Sequence, residues 1–403
     1  MRRWLSWLKP GLLPVAIGAS VLLISWFYLM WNTTAGELFP RIRFRTKATI
    51  AGIVQEAAPV LSLDAVLSGA YQQWISKSIG HLSPVFKPAI NWKGLIYYKV
   101  LGMGPTIHIV VGKNHQLFET SYGEEYCNRN IAKLRPREEE WAARIRRMQE
   151  FFEEHGKPFV YIITPSKVAE EPEIIPDDYI CPAPVTDRAD KLRVYDEILA
   201  QHGVHFVNAA SGLRAARDEY KVDMFPRGGI HWNSLAAALG VQKVIAAVNA
   251  QVRDPLLATL GFKWHISYDP QGSDRDLLDL LNMKAPDSHY PVPSLTYESR
   301  PPANGCHTIT ITEVGGSFLA SLNSTLEKLA CPPKINDWFY WDNKRIHFAG
   351  DRLYDLPMDA AARRQSLLEA DVVFFEENEQ AGPRSTHGEK MMAEVEKLAG
   401  GAR

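Results

Sequence analysis

The sequence predicts an α/β domain built on a mostly parallel sheet and carried behind one N-terminal apolar helix. Three observations support this. Short apolar runs alternate with amphipathic stretches of about ten to fifteen residues from Arg135 to Glu376, the rhythm of strands and crossover helices that cover both faces of a parallel sheet. Gly11–Trp31 (GLLPVAIGASVLLISWFYLMW) holds 21 residues and no charge, which at about 1.5 Å per residue matches the roughly 30 Å apolar core of a bilayer. The chain of 403 residues is otherwise ordinary for a globular protein, with 46% hydrophobic residues, 23% charged residues and a net charge of −1. That balance implies no concentrated basic surface, so no nucleic-acid partner is expected.

The elements follow in order. In the apolar helix, Trp26, Tyr28 and Trp31 crowd the C-terminal end, where aromatic rings favour the headgroup layer. No A-x-A-like cleavage site follows closely, which points to an uncleaved anchor rather than a signal peptide. Arg2, Arg3 and Lys9 precede the helix and Arg41, Arg43, Arg45 and Lys47 follow it, so flanking charge does not fix the orientation. The expected arrangement is a cytoplasmic tail over 1–10 with the large domain outside. Residues 32–106 form a neck without clear period. The domain begins near Ile107, with a strand at 108–112 and a turn and return over 113–118 (KNHQLF). Pro136 suits a first helical residue and Gly156 a C-terminal cap, and Trp141, Ile145, Met148 and Phe152 share one face of the helix between them. A strand at 158–164, a helix at 188–201 closed by Gly203, and a strand at 204–207 come next. A helix opens at Asn233 or Ser234 and runs to about Ala250. Residues 251–304, rich in Pro, Asp and Ser, break the rhythm and read as an insertion or lid. A strand at 307–314, a helix at 318–329, a strand near 338–341, a helix at 358–369 and a last strand at 371–376 complete the domain. Residues 379–403 read as a C-terminal tail. Cys127, Cys181, Cys306 and Cys331 form no C-x-x-C pair, which disfavours zinc or redox chemistry. They allow up to two disulfides in an oxidising compartment, or four buried thiols.

Three segments bear chemistry. In EVGGSFL, 313–319, a strand runs through two glycines into Ser317 and a helix. Glycines permit a tight turn, and a helix start offers free N–H groups to an anion. Ser317 is therefore a candidate nucleophile, with amides at hand for an oxyanion; a plain N-cap is the structural alternative. In GGIHWN, 228–233, His231 sits in a Gly-rich loop before a helix and is the candidate base, unless it merely packs beside Trp232. In TPSK, 164–167, Ser166 and Lys167 follow an apolar strand, at the end where parallel sheets place their sites. His202 and His205 flank a turn, and no third ligand of metal-site spacing accompanies them.

Taken in order, GKNHQLF at 112–118, the strand ending in TPSK, HW at 231–232, GSDRDLLDLL at 272–281, VGGSF at 314–318 and DVVFFEEN at 371–378 resemble the SGNH-hydrolase-like domain of bacterial alginate O-acetyltransferases of the AlgJ/AlgX type, over about 107–378. The resemblance implies a flavodoxin-like three-layer α/β/α fold and acetylation of exopolysaccharide hydroxyls outside the cytoplasmic membrane. It also implies an N-terminal anchor in the bacterial inner membrane and a domain in the periplasm. A polytopic membrane acyltransferase of the MBOAT class would supply the acetyl group, and no metal or organic cofactor is required. Carried over by position, Ser317 is the nucleophile and His231 its base, with Gly315, Gly316, Ser166, Lys167 and Trp232 as oxyanion and substrate contacts. Two positions depart from the family pattern. Gly229 stands where the family's Asp-x-His-Trp motif has its acid, and Gly316 where Gly-Asp-Ser is common. A triad acid fixes the imidazole tautomer, and its loss costs roughly 10⁴-fold in rate. Asp223 in the same loop is the first replacement and Asp276 the second; a Ser–His dyad held by a backbone carbonyl is a third arrangement. A carbohydrate esterase using water as acceptor, or an inactive glycan-binding subunit of a secretion complex, would carry the same residues.

Overall fold

The structure is a computed structural model. It describes residues 86–127, 131–179, 181, 188–283, 286–348, 351–356, 360–380 and 385–401, with scattered positions between 15 and 76. The apolar segment Gly11–Trp31 and the tail 1–10 lie mostly outside the described residues. Among those described, no helix is long and apolar enough to cross a membrane. The chain divides into two compact units, residues 1–106 with 278–286, and residues 107–277 with 287–403. In the first, helix Phe86–Leu95 runs into a π-helical turn, Ile96–Leu101, which Gly102 ends at φ 62°. Gly94 there lies against the Leu281 carbonyl.

The second unit holds a seven-stranded sheet. Its strands are β3 (Phe159–Thr164), β4 (Phe206–Asn208), β7 (Thr310–Gly315), β8 (Lys334–Phe339), β9 (Asn343–Phe348), β10 (Asp351–Leu356) and β11 (Val372–Asn378), in the order β10-β9-β8-β7-β11-β3-β4. The five strands from β8 to β4 run parallel, as the alternating pattern predicts. β9 and β10 add an antiparallel edge that the sequence reading does not contain. β3 is buried along its whole length and β11 over its first six residues, which is why both read as unbroken apolar runs: a central parallel strand meets helices on both faces.

Side-chain parity separates the two faces. Phe159, Tyr161 and Ile163 of β3, Val373 and Phe375 of β11, and Val314 of β7 share one core. That core includes Trp141, Ile145, Met148 and Phe152 of α1 (Ile131–Glu154), Val194 and Ile198 of α2 (Arg188–Gln201), and Leu367 of α5 (Ala360–Glu369). It also includes Met391, Met392 and Val395 of α6 (Thr386–Gly401). Residues 379–403 thus carry a core helix where the sequence reading has a tail; four apolar positions in 16 residues are a weak signal until the sheet supplies their partners. The alternate residues face α3 (Ser234–Asn249) and α4 (Leu319–Leu326), where Asn323 of α4 donates to the buried carboxylate of Glu313 on β7. The result is a three-layer α/β/α domain.

Two hairpins complete the unit. β1 (Ile109–Val111) pairs with β2 (Leu117–Glu119) across the Lys113–His115 turn, where Asn114 and His115 adopt positive φ. β5 (Thr259–Ser267) pairs with β6 (Val292–Arg300) over nine residues each. The segment expected as an insertion or lid is therefore built around a regular antiparallel arm. The four cysteines form two disulfides, Cys127–Cys181 and Cys306–Cys331.

Candidate active site

Ser317 leaves the C-terminal end of β7 in a turn whose first glycine, Gly315, leaves no room for a side chain. A Cβ on Gly315 would meet the Glu376 side chain at 2.6–2.8 Å, and one on Gly316 would meet the Tyr340 ring at 3.2 Å. The N-cap of α4 is Phe318, not Ser317, and it makes no side-chain cap bond. The Ser317 hydroxyl is thereby free of a capping duty and lies 2.7 Å from His231 Nε2.

His231 arrives on the loop before α3, the helix packed beside α4 on the same face of the sheet. Asn233 caps that helix by accepting from the amides of Leu235 and Ala236, and donates to the Asp223 carbonyl at 2.6 Å. The His231 ring lies against Phe318, with centroids 4.9 Å apart. On its far side His231 Nδ1 bonds Asp276 Oδ2. Asp276 is held in turn, its Oδ1 accepting from the amides of Ile230 (3.0 Å) and Leu277 (2.7 Å). A carboxylate on Nδ1 selects the tautomer with Nδ1–H, leaving Nε2 as the acceptor for the serine proton. The arrangement Asp276–His231–Ser317 can deprotonate a serine and stabilise the imidazolium that results.

The carboxylate that meets His231 Nδ1 is Asp276, the second of the two sequence candidates. Asp223 instead binds Arg217 Nε at 3.1 Å with half its side chain exposed. Gly229 could not have supplied the acid, because a Cβ there would collide with the Ser273 carbonyl oxygen. The carboxylate comes from the start of helix Asp276–Leu280 rather than from the histidine loop, and the segment just before it closes the space over Gly229.

Several expected contacts serve the scaffold. Lys167 is fully buried, and its ammonium donates to the carbonyls of Leu117, Pro226 and Gly229, each at 2.7 Å. It fastens the loop that delivers His231. Burial lowers its pKa to about 8, against the pull of Glu171, Asp276 and Asp223. The Ser166 hydroxyl is buried without a hydrogen-bond partner among the described residues, and its amide donates to Glu379. Trp232 is also fully buried, donates from Nε1 to the Phe318 carbonyl at 3.3 Å and fills the space left by Gly240. None of the three side chains can touch a substrate. The Gly316 amide is occupied as well, donating to Glu376 Oε2 at 2.6 Å. Glu376 also receives the Thr164 hydroxyl, and its pKa is raised by burial.

Two donors sit over the nucleophile, each already making a long contact. The Ser317 N–H points to the Tyr340 hydroxyl at 3.4 Å, which is 3.5 Å from Ser317 Oγ. Tyr340 is half exposed and sits at φ 49°, a conformation costly for a bulky residue and frequent at functional sites. No sequence signal marked it, because it reads as part of an aromatic strand end. Before the site opens a cleft of about 660 Å³, bounded by Ser317, His231, the 271–276 segment, Tyr297, Ser321 and Phe339.

Among the described residues no cluster of His, Cys, Asp or Glu is placed to hold a metal ion. His202 and His205 face Glu139 and Glu153 instead.

Residues 109–302 match the family described as SGNH hydrolase-like domain, acetyltransferase AlgX. The match includes His231 and Asp276 and stops short of Ser317. Solved structures with similarity include the O-acetyltransferase domain of Pseudomonas putida AlgJ (17% identity, 72% of this chain and 99% of that chain, TM-score 0.43). Pseudomonas aeruginosa AlgX is another (13%, 77% and 71%, TM-score 0.43), as is Bacillus cereus PatB1 (12%, 69% and 98%, TM-score 0.41). No curated protein sequence matches the chain. With its parallel sheet and the match over residues 109–302, the chain resembles the AlgJ/AlgX-type family of SGNH hydrolase-like acetyltransferases.

Proposed function

We propose that this protein is an O-acetyltransferase that moves an acetyl group to a polysaccharide hydroxyl by way of an acetyl-serine at Ser317. The observation that carries the reading is the continuous hydrogen-bonded line from Asp276 through His231 to Ser317 Oγ. Ser317 Oγ attacks the carbonyl carbon of an acetyl donor while His231 Nε2 takes the hydroxyl proton. The oxyanion of the tetrahedral intermediate is held by the Ser317 N–H and the Tyr340 hydroxyl, which exchange their long contacts of 3.4 and 3.5 Å for bonds to the oxyanion as charge develops. When the bond to the leaving group breaks, Nε2–H returns that proton to the departing atom. A sugar hydroxyl then attacks acetyl-Ser317 and gives its proton to Nε2. The bond to Oγ breaks, and Ser317 recovers the proton.

The reading extends to place and partner. Gly11–Trp31 anchors the chain in a bacterial inner membrane with the domain in the periplasm, and an MBOAT-type membrane acyltransferase brings acetyl to it. The uncharged 21-residue run supports an anchor, and two disulfides suit an oxidising compartment.

The test is mass spectrometry of the full-length protein after incubation with a chromogenic acetyl ester, with Ser317→Ala and His231→Ala in parallel. An acetyl adduct on Ser317, absent from Ser317→Ala and slow to form in His231→Ala, supports the reading. An adduct resolved only by release of acetate, with no transfer to any sugar, identifies a carbohydrate esterase. No adduct and no ester turnover would leave a glycan-binding role.

A further inference from the structure

If the acetyltransferase reading holds, the cleft beside Ser317 also carries information about the acceptor. The charged carboxylates that line the cleft, Asp274 and Asp276, meet no lysine or arginine in its lining among the described residues. Asp276 is committed to His231. Asp274 is not committed: it forms no ion pair among the described residues, and its stabilising contact is the backbone of Gln271. Glu119, on β2, adds a third carboxylate close enough to act electrostatically on both His231 and Asp276.

Of the cations nearby, Arg275 lies between the two aspartates in sequence but is not among the residues that line the cleft, and the other three are engaged. Lys167 spends its ammonium on loop carbonyls. Arg217 is bound by Glu173 and Asp223. Arg227 is bound by Asp287 and lies over the Tyr290 ring. The rest of the lining is hydroxyl, amide and aromatic: Ser234, Gln271, Tyr297, Ser321 and Phe339 among them.

From this we infer that the acceptor is a neutral or amino-bearing glycan rather than a polyuronate, and that Asp274 is the specificity-determining residue. A carboxylate accepts strongly from sugar hydroxyls, and more strongly from an ammonium. Against a uronate carboxylate it can only repel, and in a partly buried cleft such repulsion is poorly screened. Burial, and then Asp276, raise the Asp274 pKa to about 6, so it is mostly ionised at neutral pH. Discrimination against the anionic acceptor should be at least about tenfold, since like-charge juxtaposition at a recognition surface is strongly disfavoured.

The experiment uses the full-length protein with a chromogenic acetyl ester as donor and three oligosaccharide acceptors of the same linkage: a hexose, its 2-amino counterpart and its uronic acid. Acetyl-Ser317 and acetylated product are both measured by mass spectrometry at neutral pH. Acceptor kcat/KM should be at least about tenfold higher for the hexose and the amino sugar than for the uronate. Asp274→Asn should narrow that ratio through the acceptor KM, and Asp274→Glu should retain it. Equal or better use of the uronate by the unmodified protein overturns the inference, as does a ratio that Asp274→Asn leaves unmoved. Acetyl-Ser317 that passes to none of the three acceptors also overturns it while leaving the acetyl-enzyme intact. Failure to form acetyl-Ser317 overturns the proposed function itself, and this inference with it.

Discussion

A carboxylate can serve a histidine from anywhere in the chain, provided the fold brings it to Nδ1. Here Asp276, 45 residues downstream of His231, makes that contact. It is itself fixed by the amides of Ile230 and Leu277, so its geometry is set before substrate arrives. Asp276→Asn keeps the shape but reverses the tautomer preference of the imidazole. Acetylation of Ser317 should fall roughly 10³- to 10⁴-fold, the scale seen when a triad acid is neutralised. Asp223→Asn should leave the rate unchanged, because Asp223 meets Arg217 and not His231. Single-turnover acetylation of both variants checks the pair. Equal losses would return the acid to the histidine loop.

Elements meet at the site because buried polar groups tie them together. Lys167, at the start of the short helix after β3, collects three carbonyls, two from the loop ahead of α3. Lys167→Met has nearly the same length and no donor. The carbonyls it strands are buried, and leaving buried polar groups unpaired costs about 1–3 kcal/mol each. Urea unfolding should show a loss of about 3 kcal/mol or more, together with weaker acetylation as the His231 loop slackens. A second buried group on α1 links stability to pH. Burial raises Glu138 to about 8, despite hydrogen bonding to Tyr195 and the charge of Lys191. The folded protein therefore holds a proton on Glu138 that the unfolded chain has released above pH 4.5. Its contribution to stability is complete below that value and is lost as pH rises through about 8. Unfolding free energies of Glu138→Gln and the unmodified protein, measured at several pH values, should diverge as pH rises, with the variant the less pH-sensitive.

At the scale of the whole molecule, the disulfides close loops of very different length, with sequence separations of 54 for Cys127–Cys181 and 25 for Cys306–Cys331. Cross-links stabilise largely by restricting the unfolded chain, by about 2–4 kcal/mol each. Full reduction under native conditions should lower the thermal midpoint by several degrees for each bridge. Cys306→Ser with Cys331→Ser should reproduce part of that fall. A midpoint indifferent to reductant would mean that the thiols are free in the working protein. The cysteines sit outside the cleft, so any loss of acetylation should follow unfolding rather than precede it.

The sequence by itself determined the parallel α/β core, because strands buried on both faces must be written as continuous apolar runs and their crossover helices as one-sided ones. It also determined the serine and the histidine. Gly315–Gly316–Ser317 and the Gly-rich approach to His231 are short motifs visible in the sequence, although what Gly315 and Gly229 make room for, Glu376 and Ser273, lies far along the chain. What depends on partners distant in sequence stayed hidden. The carboxylate on His231 comes from Asp276, 45 residues away, and the segment before it fills the space an Asp at 229 would need. Gly316 looked like an oxyanion donor until Glu376, 60 residues away, claimed its amide. Tyr340 gained its place over Ser317 from a backbone twist that composition does not record. Ser166, Lys167 and Trp232 looked like surface chemistry and became scaffold once the layers closed over them. A short motif specifies its own turn, and only the tertiary structure decides which charges and amides are already spent when that turn is made.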